Sequence, residues 1–196
     1  MKKKELTSNQ LIEAAFNLFA QHGIEKTSLA MIAKEVGISK PSIYYHFTSK
    51  EELVQRIFEH IFSEYHFKHY FPIEEFNENN FWDKLYLGGL QMLPENEEEH
   101  YSIMRILNEF MLSAGRDENY AKRMISMQQE FLDGFCDLLK KGAELGVISS
   151  QQTKAKAHML ALVIDNLSTY MMMGLNLDFE QIWKESVNSV FMNGGK

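Results

Sequence analysis

The chain has 196 residues, of which 45% are hydrophobic and 24% are charged, with only 3 prolines and 11 glycines. This composition is ordinary for a soluble globular protein, and the small number of helix-breaking residues favours long helices. Its single cysteine, Cys136, excludes an internal disulfide framework and suits a reducing cytoplasm. No apolar stretch is long enough to span a bilayer, so we expect a cytoplasmic protein without membrane association.

The charge is unevenly distributed along the chain. The net charge is −7, which argues against indiscriminate binding to nucleic acid. The first 60 residues carry 8 Lys/Arg and 7 Asp/Glu, whereas the rest carry 12 and 20. A near-neutral head and an acidic body suit a protein that contacts phosphates at one end only.

Two helices are predicted before residue 37. A capping box at Thr7–Gln10 opens the first helix, which ends near Gly23. Thr27 is the predicted N-cap of the second helix, and its apolar residues recur at helical spacing up to Val36. Gly37 can adopt the left-handed conformation that ends this helix.

Two more helices follow directly. Ser39 is the predicted cap of a short third helix, with Ile43 and Phe47 facing inward. Ser49–Glu52 forms a second capping box and opens the fourth helix.

The remaining two thirds of the chain predict longer helices and no strand. The segment from His66 to Asn77, which contains Pro72, is the predicted irregular linker. The predicted helices span residues 78–92, 98–113, 117–145, 151–173 and 178–192. The predicted fold class is therefore all-α.

Two short helices joined at residues 37–39 have the form of a helix-turn-helix, whose second helix can enter the DNA major groove. On that helix, Lys40 can donate to guanine acceptors, and Tyr45 can pack on a thymine methyl or a sugar. The donors suited to phosphate contacts are Ser39, Ser42, Tyr44, His46 and Lys50. Singly, these tyrosines and lysines would be ordinary packing or solvated residues, but together they favour DNA binding.

The N-terminal motif runs almost without a gap over about 55 residues. It reads Phe19-x3-Gly23-x3-Thr27-Ser28-Leu29-x2-Ile32-Ala33-x3-Gly37-Ile38-Ser39-Lys40-x-Ser42-Ile43-Tyr44-Tyr45-His46-Phe47-x-Ser49-Lys50-Glu51-Glu52-Leu53. This motif closely resembles the signature of the TetR family of transcriptional regulators.

The resemblance implies a three-helix DNA-binding domain at residues 1–50, joined by a long fourth helix to a ligand-binding and dimerisation domain at residues 51–196. It implies a homodimer that binds a palindromic operator in double-stranded DNA, usually to repress, and that a small ligand releases. By the motif, Thr27 and Ser28 match family phosphate contacts. The base-proximal positions are Lys40, Ser42 and Tyr45, and the phosphate-contacting ones are Tyr44, His46 and Lys50.

The last two predicted helices are apolar on more than one side, which favours burial against a second copy of the chain. The alternative is that they form the core of a monomer. The predicted interface residues are Leu160, Ile164, Leu167, Met171, Trp183, Val187 and Val190.

Methionine and aromatic residues between the head and these helices suit a cavity for a hydrophobic or amphipathic effector. Ordinary core packing is the alternative. The candidate ligand-binding residues are Phe62, Tyr65, Trp82, Tyr86, Met104, Asn108, Met111, Met127, Phe131 and Asn166. A cationic ligand would be favoured if Glu109 or Asp165 faced inward.

Other classes of function have weaker support. His60, His66 and His69 are close in sequence, but no CxxC or HExxH motif accompanies them, so we expect no metal site. No catalytic or cofactor motif is found, so we expect neither an enzyme nor a cofactor. The remaining alternative is a helical-bundle carrier or metal sensor without ligand-gated repression, for which the donors of the third helix would have no use.

Overall fold

The structure is a computed structural model that describes residues 2–93, 104–110, 112 and 118–191. At residues 2–7, 61, 62, 64, 119, 120 and 172 it describes the backbone alone. These parts of the chain are helical and contain no strand, apart from an antiparallel bridge between Ile148 and Phe191. The all-α prediction is confirmed. None of the described helices is long and apolar enough to cross a membrane.

The helices differ widely in length, from 4 residues in α3 to 27 in α8. The N-terminal part contains α1 (Lys2–His22), α2 (Leu29–Glu35), α3 (Lys40–Ile43) and α4 (Lys50–Glu64). The later part contains α5 (Phe67–Tyr70), a 3-10 turn (Ile73–Glu75), α6 (Phe81–Met92), α7 (104–110), α8 (Glu118–Glu144), α9 (Thr153–Met172) and α10 (Phe179–Val190).

The chain forms two compact units that are interleaved in sequence. Unit one comprises Met1–Glu64 and Glu98–Met124, and unit two comprises Tyr65–Glu97 and Ile125–Lys196. The long helix α8 therefore contributes residues to both units. The functional boundary between residues 50 and 51 stays a prediction, because it does not coincide with a division into compact units.

In unit one, α2 packs on α1 and on α3, and α4 packs on α1, around a core of fully buried side chains. This core includes Leu11, Ala15, Phe19, Ile32, Ile43, Phe47, Leu53 and Ile57. Gly37 joins α2 to the turn before α3 with a φ of +75°, a conformation that glycine adopts without steric cost. The turn predicted at this glycine is confirmed.

Two predicted helix starts differ from the structure. Thr7 lies inside α1, which already begins at Lys2, so the predicted capping box at Thr7 is wrong. Ser28, not Thr27, caps α2, because its hydroxyl accepts a hydrogen bond from the amide of Met31 at 3.3 Å. Two adjacent residues with capping chemistry look alike in a sequence, and the tertiary role of Thr27 decides between them.

The predicted capping residues of α3 and α4 are found. The Ser39 hydroxyl accepts from the amide of Ser42 at 3.3 Å, and the Ser49 hydroxyl accepts from the amide of Glu52 at 3.2 Å. The Glu52 carboxylate accepts from both the amide and the hydroxyl of Thr48, one residue before the position that a capping box requires.

In unit two, α10 packs against α6 and α9. Trp183 is fully buried there, and its indole Nε1 donates to the backbone oxygen of Tyr86 at 2.9 Å. The ring lies against the backbone of α6 at Gly89, where an added Cβ would come within 2.1 Å of Trp183 Cε2. This glycine permits the close approach of the two helices.

The segment predicted as an irregular linker forms α5 and the 3-10 turn. The Glu130 carboxylate of α8 accepts from the Phe67 amide at 3.1 Å and contacts His66 Nδ1 at 2.9 Å. Phe67 and Phe71 are buried, and the Phe67 ring contacts that of Phe131. These distant partners stabilise a helix too short to be indicated by sequence periodicity.

The predicted dimer residues require a correction. Leu160, Ile164, Leu167, Trp183, Val187 and Val190 are buried within a single chain, and Met171 is half-buried. These side chains form the core of unit two, as the monomer-core alternative held, and they do not present a face to a partner. Homodimerisation itself stays a prediction.

Candidate nucleic-acid interface and ligand cavity

Helix α3 divides its side chains between the core and solvent. Ile43 is fully buried, and Phe47 is buried just beyond the helix, which fixes the orientation of α3 on unit one. Lys40 is exposed at the start of α3, and Tyr44 and Tyr45, which follow the helix, are 48% and 81% exposed. A tyrosine as exposed as Tyr45 leaves in water an apolar ring surface that a binding partner would cover.

Smaller donors flank these side chains. The hydroxyls of Ser39 and Ser42 lie 2.7 Å apart, and both residues are at least partly exposed. His46 is half-buried, and its Nδ1 is buried without a hydrogen-bond partner among the described residues. Ser28 is exposed at the first turn of α2. Unit one therefore brings most of the predicted DNA-contacting residues to its surface.

Lys50 occupies the first position of α4 and is half-buried. Its ammonium Nζ donates to the backbone oxygen of Glu25 at 3.0 Å, across the turn between α1 and α2. This hydrogen bond fixes a positive charge at the start of a helix, where free backbone amides also attract anions.

Thr27 does not fit its predicted role. The residue is 1% exposed, and its hydroxyl donates toward the backbone oxygens of Gly23 at 2.9 Å and Leu18 at 3.1 Å. Because this hydroxyl is buried and engaged with the end of α1, it is not available for the phosphate contact that the motif implied. It stabilises the turn before α2.

Helix α7 supports the same turn from another side. The Glu109 carboxylate accepts a 2.7 Å hydrogen bond from the amide of Ile24, and Arg105 Nη1 donates to the backbone oxygen of Ala20 at 3.3 Å. Gly23 has a φ of +83°, and a Cβ there would lie 2.9 Å from Glu109 Oε1. Glu109 thus has a structural partner in unit one. Sequence reasoning missed this contact because no local pattern links residues 85 positions apart.

Unit two contains a cavity of about 220 Å³ between α8 and α9. Two predicted ligand-binding residues, Tyr65 and Phe131, line it, with their rings stacked at a centroid distance of 4.8 Å. The other lining residues are Met92, Gln128, Leu132, Phe135, Ala161, Leu162, Ile164 and Asp165. Gln128, Phe131, Leu132 and Phe135 follow helical spacing on α8, a signal that could have identified this wall.

The other predicted ligand-binding residues lie elsewhere. Trp82 and Tyr86 stack on each other, and their polar ends bond to Asn188 and Glu180 of α10. Met127 is buried but does not line the cavity. Asn166 is exposed and donates to the backbone oxygen of Leu162.

Four further predicted ligand-binding residues are not among the described residues that line the unit-two cavity. Met104 and Asn108 belong to α7 in unit one. The side chain of Phe62 and the whole of Met111 lie outside the described part of the chain. The predicted single cluster is therefore not formed by the described residues.

The histidines that are neighbours in sequence have partners other than a metal-ligand set. His66 contacts Glu130, and its ring meets that of His69 edge-on at a centroid distance of 5.6 Å. Within the described ranges, no three His, Cys, Asp or Glu side chains are grouped as metal ligands.

Comparison with known proteins gives sequence matches for the N-terminal part of the chain and a fold match for nearly all of it. Residues 11–57 match the family model "Bacterial regulatory proteins, tetR family". The transcriptional regulator AcrR of Shigella flexneri is 40% identical over 53 residues, which are 27% of this chain and 25% of that protein. The negative regulator IcaR of the Staphylococcus epidermidis biofilm operon is 38% identical over 55 residues, 28% of this chain and 30% of the relative. The matches thus span about a quarter of the length of these relatives.

A structural neighbour covers nearly the whole chain. A protein from Saccharomonospora viridis, described as a transcriptional regulator and solved with choline, has a TM-score of 0.82 at 16% identity. The match covers 96% of this chain and 100% of that one, and at this identity it shows a shared fold alone. Residues 11–57 therefore carry the N-terminal signature of the TetR family of bacterial transcriptional regulators, and the chain shares the fold of the Saccharomonospora viridis protein.

Proposed function

We propose that this protein is a homodimeric transcriptional repressor that binds a palindromic operator through α3. A small hydrophobic or amphipathic effector, bound in unit two, releases it from DNA. The observation that carries the proposal is the exposure of Lys40 in α3 and of Tyr44 and Tyr45 directly after it, in a segment that Ile43 and Phe47 anchor in the core. A helix presented in this way fits the major groove, where side chains can read base edges.

Repression and release are supported by the relatives and by the cavity. IcaR is a negative regulator, and the Saccharomonospora viridis protein was solved in complex with choline. Here the cavity of unit two is lined by Tyr65, which follows α4 directly, and by residues of α8, which extends into unit one. A ligand there could bias both helices, and it lowers operator affinity only as far as it prefers the released form.

Dimerisation is supported by apolar side chains that a single chain leaves exposed. Met159, Leu162 and Tyr170 lie on α9, and Ile182 lies on α10, with exposures between 36% and 59%. Met173, Leu175 and Leu177 add further apolar surface between the two helices, with Met173 67% exposed. An apolar patch of this kind marks an interaction surface, and a two-fold axis would let it cover itself.

Lys40→Ala should weaken operator binding by about 1–3 kcal/mol and relax base preference at one position in each half-site, because Lys40 reaches base edges. Lys50→Ala is the matched comparison, since it should weaken binding to all sequences and lower the salt slope by about one per half-site. Fluorescence anisotropy with operator and scrambled DNA at several salt concentrations measures both. Equal weakening of Lys40→Ala on both DNAs would make Lys40 a phosphate contact.

Tyr170→Lys should raise the dimer dissociation constant by at least about tenfold, because the change places a charge in each copy of an apolar interface. A cation near the C-terminus of α9 is compatible with the helix itself. Sedimentation velocity over a concentration series measures the change. Ile125→Lys is the control, since Ile125 is also an apolar side chain, 66% exposed, but lies on a different helix, α8. Equal dissociation by both variants, or a monomeric parent protein at micromolar concentration, would contradict the proposed interface.

A further inference from the structure

The cavity of unit two has an aromatic wall. The ring of Tyr65 stacks on that of Phe131 at 4.8 Å, and Phe135 lines the same cavity. Aromatic faces carry negative partial charge and attract cations that lie within about 6 Å of the ring centre. The wall thus offers more than apolar contact to a positively charged group.

A single carboxylate, that of Asp165, faces this wall from α9. It shares the cavity lining with the amide side chain of Gln128. No lysine or arginine of the described residues forms an ion pair with Asp165. Although the residue as a whole remains exposed, desolvation of its carboxyl raises the pKa above its ordinary value. A positive charge beside the carboxylate would offset that cost.

We propose that this cavity binds a small organic monocation, with Asp165 as its counter-ion and Tyr65, Phe131 and Phe135 as its aromatic walls. The inference rests on the proposed function, of which it specifies the effector class. The volume of about 220 Å³ lies below the roughly 300–1,000 Å³ of pockets for drug-sized ligands, so the occupant is small. The scarcity of oxygen ligands beside Asp165 favours an alkylated ammonium over an inorganic ion.

Calorimetry with a pair of isosteric probes tests the charge directly. The full-length protein is titrated with 3-hydroxyphenyltrimethylammonium and with 3-tert-butylphenol, which differ only in the charged nitrogen. We expect the ammonium to bind at least about tenfold more tightly, and Asp165→Asn to remove most of this preference while leaving the phenol unaffected. Asp137→Asn, an exposed α8 carboxylate outside the cavity lining, removes the same charge and should change neither affinity.

The outcomes separate this inference from the proposed function. Equal affinity for the two probes, binding of neither probe, or an equal effect of Asp165→Asn and Asp137→Asn would overturn the cation site. Thermal unfolding of each variant shows that it is folded, and Phe131→Leu provides a second variant that should weaken the ammonium more than the phenol. Operator binding is measured separately, so a protein that binds DNA but not the ammonium would lose only this inference.

Discussion

Replacing Trp183 with alanine should lower the free energy of unfolding by about 3–5 kcal/mol, the largest stability effect that we expect from a side-chain truncation in this chain. The ring is fully buried, so its removal leaves a cavity among α6, α9 and α10. The backbone oxygen of Tyr86 also loses its indole donor. Urea denaturation followed by far-UV circular dichroism measures the change.

Gly89 provides a sharp control for this prediction. In the parent protein, Gly89→Ala should be strongly destabilising, because the new Cβ would lie 2.1 Å from Trp183 Cε2. In the Trp183→Ala background the same change should stabilise by about 1 kcal/mol, since alanine favours a helix over glycine and the obstructing ring is gone. If Trp183→Ala dissociated a dimer but left the free energy of unfolding unchanged, Trp183 would lie at the dimer interface and not in the core.

Gly23→Ala should destabilise unit one by about 2.5–5 kcal/mol, because it combines two separate costs. A left-handed φ of +83° costs a residue with a Cβ about 1–2 kcal/mol. The new Cβ also meets Glu109 Oε1 at 2.9 Å and would displace the carboxylate that accepts from Ile24. Loss of a hydrogen bond to a charged group costs about 1.5–3 kcal/mol. Operator affinity should fall as well, because this turn also holds Lys50.

The matched control is Gly37→Ala. Gly37 has a similar φ of +75°, but a Cβ there would meet nothing within 4 Å. It should therefore cost only the backbone strain, about 1–2 kcal/mol. Thermal and urea denaturation of both variants, alone and with Glu109→Ala, measure the difference. If Gly23→Ala and Gly37→Ala cost the same in every background, the contact between α7 and the α1–α2 turn does not stabilise unit one.

Local sequence patterns predicted the helices that depend on local physics. The caps at Ser39 and Ser49 and the turn at Gly37 were confirmed because capping and left-handed backbone are determined by residues within a few positions. Helix α5 was missed because Glu130 and the buried Phe67 stabilise it from outside its own sequence. Thr27 was assigned to the wrong role for the same reason, since its partners are backbone oxygens at the end of α1.

The residues of the candidate sites also fall into those that local patterns predict and those that depend on tertiary packing. The exposed donors at α3 and in the turn after it were predictable, since a segment whose apolar Ile43 and Phe47 face inward leaves Tyr45 exposed. The apolar residues of α9 and α10 could not be divided between core and interface from the sequence. A helix that is apolar on several sides does not indicate which side faces the core of its own chain. The cavity depends on which faces of α8 and α9 meet, so only Tyr65 and Phe131 of its lining were predicted as ligand-binding residues.

Selection of bound DNA from a random duplex pool tests the central claim, sequence-specific operator binding by α3, most directly. The parent protein should enrich a palindrome whose half-sites lie about 34–36 Å apart, or a multiple of this spacing. Lys40→Ala should enrich a palindrome with one degenerate position in each half. Recovery of no common sequence by the parent protein, or of an identical palindrome with unchanged preference by the Lys40→Ala variant, would contradict the assignment of α3 as the reading helix.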